Sequence, residues 1–137
     1  GTNVLTVTEG AVRVSSATAC DGLQMVLRDG GKLVVPYGSE TGIVDVKWDE
    51  PFVAETTGGK IPLEVDLGNA DPGPGFTTKL FTISAAAAAN LSADDFRFTC
   101  SNRKFKFASL NRTYDEATDS YTYSATFEVR GILLIVR

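Results

Sequence analysis

The sequence predicts an all-β protein. Parallel β-solenoid rungs are expected over residues 1–68 and an antiparallel β cap over residues 69–137, with a β-sandwich or jelly roll as the alternative. Three observations lead there. The first 35 residues carry one pattern twice, strand, acidic-Gly turn, strand. Apolar and polar residues alternate with period two along most of the chain. Helix-forming sequence is confined to one short alanine run.

The repeat sets the frame. Leu5-Thr6-Val7-Thr8-Glu9-Gly10-Ala11-Val12-Arg13-Val14 is matched by Met25-Val26-Leu27-Arg28-Asp29-Gly30-Gly31-Lys32-Leu33-Val34-Val35. Leu5 aligns with Met25, Val7 with Leu27, Glu9 with Asp29 and Gly10 with Gly30, each 20 residues on. One extra glycine later, Val12 aligns with Leu33, Arg13 with Val34 and Val14 with Val35. A short period with one supersecondary unit per copy is the mark of a solenoid, because a single copy cannot bury its own apolar face. Leu5, Val7, Met25, Leu27, Leu33 and Val35 are expected to line one interior.

The first strands run from Asn3 to Val14 around a Glu9-Gly10 turn, where glycine permits a positive φ. Ser15 to Gly22 is a small, polar connection carrying Cys20. Leu23–Leu27 and Lys32–Val35 flank the Asp29-Gly30-Gly31 turn. Ile43–Trp48 alternates again and is a candidate third rung, with Val44, Val46 and Trp48 on one face and Ile43, Asp45 and Lys47 on the other. Thr57-Gly58-Gly59-Lys60-Ile61 echoes Asp29-Gly30-Gly31-Lys32-Leu33. Pro62 removes a ladder donor, which points to an edge strand over Leu63–Leu67.

Asn69-Ala70-Asp71-Pro72-Gly73-Pro74-Gly75 is the strongest punctuation and places the boundary of the cap. Phe76–Ser84 is a strand. Ala85–Ala89 is the helix candidate, and Ser92 with Asp95 forms a capping-box pattern. Phe96–Cys100 and Arg103–Leu110 are strands. Asp115–Asp119 is a hairpin turn, and Tyr121 to Val129 returns with Tyr121, Tyr123, Ala125, Phe127 and Val129 on one face. Arg130-Gly131 is a tight turn before a fully apolar strand, Ile132–Val136.

Composition excludes several activities. There is no histidine, so Ser-His and Cys-His nucleophile pairs and most zinc sites are absent. Net charge is −4 with no basic stripe, which argues against nucleic acid. Cys20 and Cys100 form no C-x-x-C, leaving either one long-range disulfide or two separate thiols. No apolar run reaches the length of a membrane span and no signal peptide is visible. The chain opens Gly1-Thr2-Asn3 without a methionine, which raises the expectation of an excised piece of a longer protein.

No catalytic residues, metal ligands or cofactor are expected. Asp49-Glu50, Asp94-Asp95 and Asp115-Glu116 are acidic neighbours, but adjacent strand residues point to opposite faces, so they read as solvated turns. Calcium would need an oxygen-rich loop motif that is missing. Gly30-Gly31 and Gly58-Gly59 join strand to strand, without the helix N-terminus a phosphate site uses. Asn90-Leu91-Ser92 and Asn111-Arg112-Thr113 match the glycosylation pattern by composition alone. Tyr37, Trp48, Phe52 and Tyr114 are the candidate ligand-stacking set; Trp48 shares a face with Val44 and Val46, which reads as core.

Asp29-Gly30-Gly31-Lys32-Leu33-Val34-Val35 resembles the repeats of autotransporter-associated β-strand proteins. Leu63-Glu64-Val65-Asp66-Leu67, Phe76–Ser84, Leu91-Ser92-Ala93-Asp94-Asp95-Phe96 and the strands after Tyr123 look like the segment closing such passengers. The resemblance implies a right-handed parallel β-helix and a non-catalytic structural or adhesive module of an exported bacterial surface protein, secreted or on the cell surface. Its implied partners are upstream rungs of the full-length chain and surface glycans or host proteins, with neither nucleic acid nor membrane insertion. The competing expectations are a carbohydrate-binding β-sandwich and a polysaccharide-degrading enzyme using Asp45, Asp49 or Glu64. Ile43–Glu55 and the two cysteines depart from the repeat pattern.

Overall fold

The structure, a computed structural model, describes residues 3–14, 22–38, 43–45 and 48–129. Those residues are all-β, with eleven strands and one turn of α-helix. In chain order the strands are β1 (Asn3–Val7), β2 (Gly10–Arg13), β3 (Leu23–Arg28), β4 (Gly31–Pro36), β5 (Val44–Asp45) and β6 (Phe52–Glu55). They continue as β7 (Ile61–Asp66), β8 (Gly75–Ser84), β9 (Phe96–Cys100), β10 (Phe105–Asp115) and β11 (Ser120–Val129). Helix α1 (Ala85–Ala88) follows β8, and a 3-10 turn at Ala93–Asp95 precedes β9.

Three sheets result, ordered β1-β3-β6, β2-β4-β7-β9 and β10-β11-β8-β5. The first two are wholly parallel. Sandwiches and jelly rolls are built from antiparallel sheets, so this pairing departs from that alternative. Strands from successive copies alternate between the two parallel sheets, because each acidic-Gly turn is a corner rather than a hairpin. Gly10 and Gly30 take the left-handed φ that such corners need, 83° and 92°.

The register follows the sequence alignment of the copies. Leu5 lies beside Met25 and Val7 beside Leu27. Val12 lies beside Leu33 and Arg13 beside Val34. Met25, Leu27, Leu33, Val35 and Val7 are buried at 5% exposure or less, with Leu5 packed against them half-buried. Burying one such aliphatic side chain stabilises by roughly 1.5–3 kcal/mol. A one-residue slip would turn the whole set outward, so the apolar ladder holds the register.

The third copy is not Ile43–Trp48. It is β6 and β7, where Phe52 pairs with Met25 and Leu63 with Leu33. In the described part of Ile43–Trp48, β5 pairs with β8 instead. The faces are also reversed: Ile43 and Asp45 are 2% and 1% exposed, whereas Val44 and Trp48 are half-buried. Asp45 is tolerated inside because it accepts from the Trp48 backbone N–H at 2.8 Å and from the Ser84 hydroxyl at 3.4 Å. A buried carboxylate breaks the polar-out rule on which the face assignment rested.

The Gly-Gly echo is sound in place but short by two residues. Thr57 does meet its counterpart Asp29, donating its N–H to Oδ1 at 3.0 Å and its hydroxyl to Oδ2. Leu33, however, pairs with Leu63 rather than Ile61. Pro62 sits in β7, which is interior, not at an edge. The ladder to β4 begins at Leu63, one residue past the proline, so its missing N–H is not called upon there.

The parallel sheet from β2 continues past residue 68 into β9, where Ile61 pairs with Phe96 and Leu63 with Phe98. The core is one cluster drawing on both sides of that position. Phe52, Phe81 and Phe96 meet within it, with ring centroids 4.9–5.8 Å apart. Phe76 packs on Phe105 and Phe127 at 5.1 and 5.2 Å. A bulge at Leu80, opposite Tyr123 and Ser124, lets Leu80 and Phe81 both face inward. The alanine run makes only one helical turn, with Ser84 accepting from the Ala87 N–H, and Ser92 and Asp95 form the expected capping box. Residues 130–137, which include the last expected turn and strand, lie outside the described residues, as does Cys20.

Charges decorate the outer faces. Arg13 pairs with Asp66, Arg28 with Glu55 at 3.0 Å and Lys32 with Glu64 at 2.8 Å, each joining different copies. Such exposed pairs are worth about 0–1 kcal/mol each, so they favour the register without supplying the stability.

Two predictions follow from packing and charge. A Cβ at Gly31 would stand 2.5 Å from the Val7 carbonyl oxygen and 2.8 Å from Val7 Cγ1, whereas one at Gly58 meets nothing within 4 Å. Gly31→Ala is expected to lose about 1–3 kcal/mol by urea denaturation, and Gly58→Ala to stay within about 1 kcal/mol of the parent; equal effects would overturn this packing. Hydrogen bonds from Thr57 hold the Asp29 carboxyl below its ordinary range, and Asp66 is lowered by Arg13 and then by the Gly68 N–H. A carboxyl depressed in the folded state contributes stability at neutral pH, which is lost as pH falls through its folded value. The melting temperature should therefore drop below about pH 4, and less steeply in Asp29→Asn/Asp66→Asn; coincident pH curves would remove these carboxyls from the account.

Candidate functional site

A shallow, open cleft lies where the β10–β11 hairpin faces the segment from α1 to the 3-10 turn. Its position follows from strand length. The inner faces of β10 and β11 begin in the core with Phe105 beside Val129 and Phe107 beside Phe127. A bulge at Ala108 shifts β10 by one residue, after which Leu110, Arg112 and Tyr114 continue that face opposite Ala125, Tyr123 and Tyr121. The hairpin reaches its turn only at residue 116, helped by the Ala117 N–H donating to Asp115 Oδ1 at 3.0 Å and by Asp119 at φ 51°. Its far end thus projects beyond the core, with Tyr114 47% exposed.

The cleft is lined by Ala89, Leu91, Ser92, Leu110, Arg112 and Tyr123. Arg112 is its organising side chain. Nη1 donates to the Ala88 carbonyl at 3.1 Å and contacts the Tyr123 hydroxyl at 3.4 Å. Ala88 ends α1, and its carbonyl also accepts from the Leu91 N–H at 3.3 Å and the Tyr123 hydroxyl at 3.4 Å, so the guanidinium joins a shared helix-terminal acceptor. The same guanidinium lies over the Tyr121 ring, 4.2 Å from its centroid. Tyr121 in turn packs on Tyr114, centroids 5.1 Å apart at 52°. The Tyr114 hydroxyl donates to Asp119 Oδ1 at 2.7 Å. That bond, and then desolvation, raises the Tyr114 phenol above its ordinary value; the Tyr123 hydroxyl raises Arg112, which stays charged.

The four candidate stacking residues are distributed among different surroundings. Tyr37 is half-buried, edge-on to Phe76 at 5.2 Å. Trp48 is half-buried and donates Nε1–H to the Gly22 carbonyl at 2.9 Å. Phe52 is a core residue at 3% exposure. Of these four, Tyr114 alone is exposed, at 47%, and its aromatic neighbour is Tyr121, which alternation places on one face with Tyr123 and Phe127. In the sequence, Arg112 stands out only as the middle residue of the Asn111-Arg112-Thr113 glycosylation pattern. The available signal was the i, i+2, i+4 spacing of Leu110, Arg112 and Tyr114, but the strand was expected to stop at Leu110, which hid it.

The carboxylates weighed for hydrolysis are placed separately: Asp45 is buried beside Ser84, Glu64 is ion-paired with Lys32, and Asp49 is exposed. Cys100 is half-buried and burial raises its thiol pKa, which disfavours the reactive thiolate. Among the described residues, no group of three or more His, Cys, Asp or Glu is placed to hold a metal ion, and no helix is long and apolar enough to cross a membrane. The arrangement on the hairpin can bind through stacking and hydrogen bonding.

A scan against protein-family models finds no match, and neither curated proteins nor solved structures give one.

Arg112→Ala removes both the α1 carbonyl bond and the stack on Tyr121. It is expected to cost about 1–2 kcal/mol by chemical denaturation and to change the tyrosine near-UV circular dichroism; a variant matching the parent in both would show that Arg112 does not hold the cleft.

Proposed function

We propose that this chain is a non-catalytic structural and adhesive module of an exported bacterial surface protein. Its described strands are read as successive turns of a right-handed parallel β-solenoid, with the sheet containing β8, β10 and β11 closing the stack. The observation that carries the reading is the shared register of two parallel sheets. Leu5, Met25 and Phe52 lie side by side in one, and Leu33, Leu63 and Phe98 in the other. Like positions of successive copies thus stack like on like, which is how quasi-one-dimensional proteins distribute their core.

The resemblance of the Asp29–Val35 motif to autotransporter-associated β-strand repeats supports the same reading and extends it to export. The antiparallel hairpin supports a closing role, since pairing β8 with β11 covers an edge that would otherwise template aggregation. β1 and β2 each pair on one side among the described residues, and further rungs of the same polypeptide are the partners proposed there. Surface glycans or host proteins are the proposed external partners.

Export is tested by protease treatment of intact cells of the encoding bacterium, followed by an antibody against this chain. The expected result is loss of the signal while a cytoplasmic control survives, or recovery of the chain from the medium. A signal that stays protected until lysis would overturn the surface assignment.

A further inference from the structure

We propose that the inner face of the β10–β11 hairpin, with the cleft beside it, is a binding site for a neutral glycan. The proposal uses only the hairpin and the segment facing it, so it stands independently of the solenoid reading.

The site combines three features that saccharide recognition requires. The first is an open aromatic face: Tyr114 is 47% exposed and is held in place by Tyr121 at 5.1 Å. Large exposed hydrophobic side chains are rare here, Tyr114 and Val4 being the two among the described residues. A tyrosine ring offers apolar area for the C–H face of a pyranose while its hydroxyl stays wet. The second is a fixed planar donor. Arg112 has five N–H groups, and both of its inward contacts use Nη1, so the fork remains available along the groove. The stack on Tyr121 orients it before any ligand arrives, which lowers the ordering cost of binding. The third is an acceptor: Asp119 bonds the Tyr114 hydroxyl at 2.7 Å, while Asp115 and Glu116, in the same turn but not on this face, add negative charge nearby.

The negative charge of this turn decides the ligand class. Carboxylates accept from sugar hydroxyls, but they repel the carboxylates or sulfates of acidic polysaccharides. Among the described residues, Arg112 is the one cation on this face, and its charge is shared with the Tyr121 ring and the Ala88 carbonyl. The balance favours an uncharged chain. Leu110, Arg112 and Tyr114 recur at every second residue of β10, so the contacts are spread about 6.5–7 Å apart along a line. That spacing suits an extended oligosaccharide lying along the strand, with the apolar cleft at Leu91 and Leu110 taking one end.

The test is native affinity electrophoresis in gels containing a mixed-linkage β-glucan, a galactomannan, an arabinoxylan or polygalacturonate. The parent is expected to be retarded by at least one neutral polysaccharide and not by polygalacturonate alone. Tyr114→Ala should weaken that retardation at least about tenfold with an unchanged melting temperature, and Tyr114→Trp, which enlarges the stacking face, should keep or strengthen it. Retardation by polygalacturonate only, none by any neutral polymer, or full retention in Tyr114→Ala would each overturn the proposal. Should Tyr114→Ala melt early, the tryptophan variant decides: weaker binding by a folded Tyr114→Trp counts against the site.

Discussion

Everything else in this structure depends on parallel pairing held in step by an apolar ladder. No copy of the pattern has a core of its own. Met25 and Leu27 are fully buried because the strands on either side contribute Leu5, Val7, Phe52 and Ala54 at matching positions. The stabilisation is mostly area removed from water. The surface ion pairs between copies are too small and too exposed to compete with it. They act instead as a directional preference, because Arg28–Glu55 and Lys32–Glu64 require the same register as the apolar contacts.

Close packing at the corners follows from the same constraint. Successive parallel strands stand less than 5 Å apart, so the turns that connect the sheets must also stack. Gly31 lies against the Val7 backbone where no Cβ fits, and Thr57 bonds Asp29 on the next level. The corner residues therefore touch their counterparts in neighbouring copies. A corner of this kind needs glycine for space at one position and a hydrogen-bonding side chain at another, which is the chemistry that the repeat carries.

The antiparallel hairpin is where the repeat logic stops. β8 pairs parallel with β5 on one side and antiparallel with β11 on the other, so it converts one kind of sheet into the other. Bulges at Leu80 and Ala108 adjust the faces as this happens. One consequence is chemical rather than structural. Once β10 outruns the core, inward-facing positions cease to be buried, and Arg112 and Tyr114 occupy sites whose orientation is that of a core residue but whose surroundings are solvent. An aromatic–cation stack held by a helix-terminal carbonyl is a stable use of such positions.

The all-β class, the β1–β3 and β2–β4 register, the interior set and the capping box were all legible from residue order, because each depends on local alternation or on a spacing of a few residues. Three things were not. The third copy was displaced because its equivalence to the first two rests on contacts across 27 to 30 residues, Met25 with Phe52 and Leu33 with Leu63, with no constant spacing to reveal it. The faces of Ile43 and Asp45 were inverted because a carboxylate reads as exposed until its partners, the Trp48 N–H and the Ser84 hydroxyl, are known. The cleft is not legible in residue order because it needs Arg112 to meet Ala88, 24 residues away, and Tyr114 to extend past a core whose boundary only the packed structure defines. Residue order by itself determined which strands exist and which face of most of them is apolar, since both follow from the period of the backbone. Tertiary structure alone decided where strands outlast the core, because burial is a property of the neighbours and not of the strand.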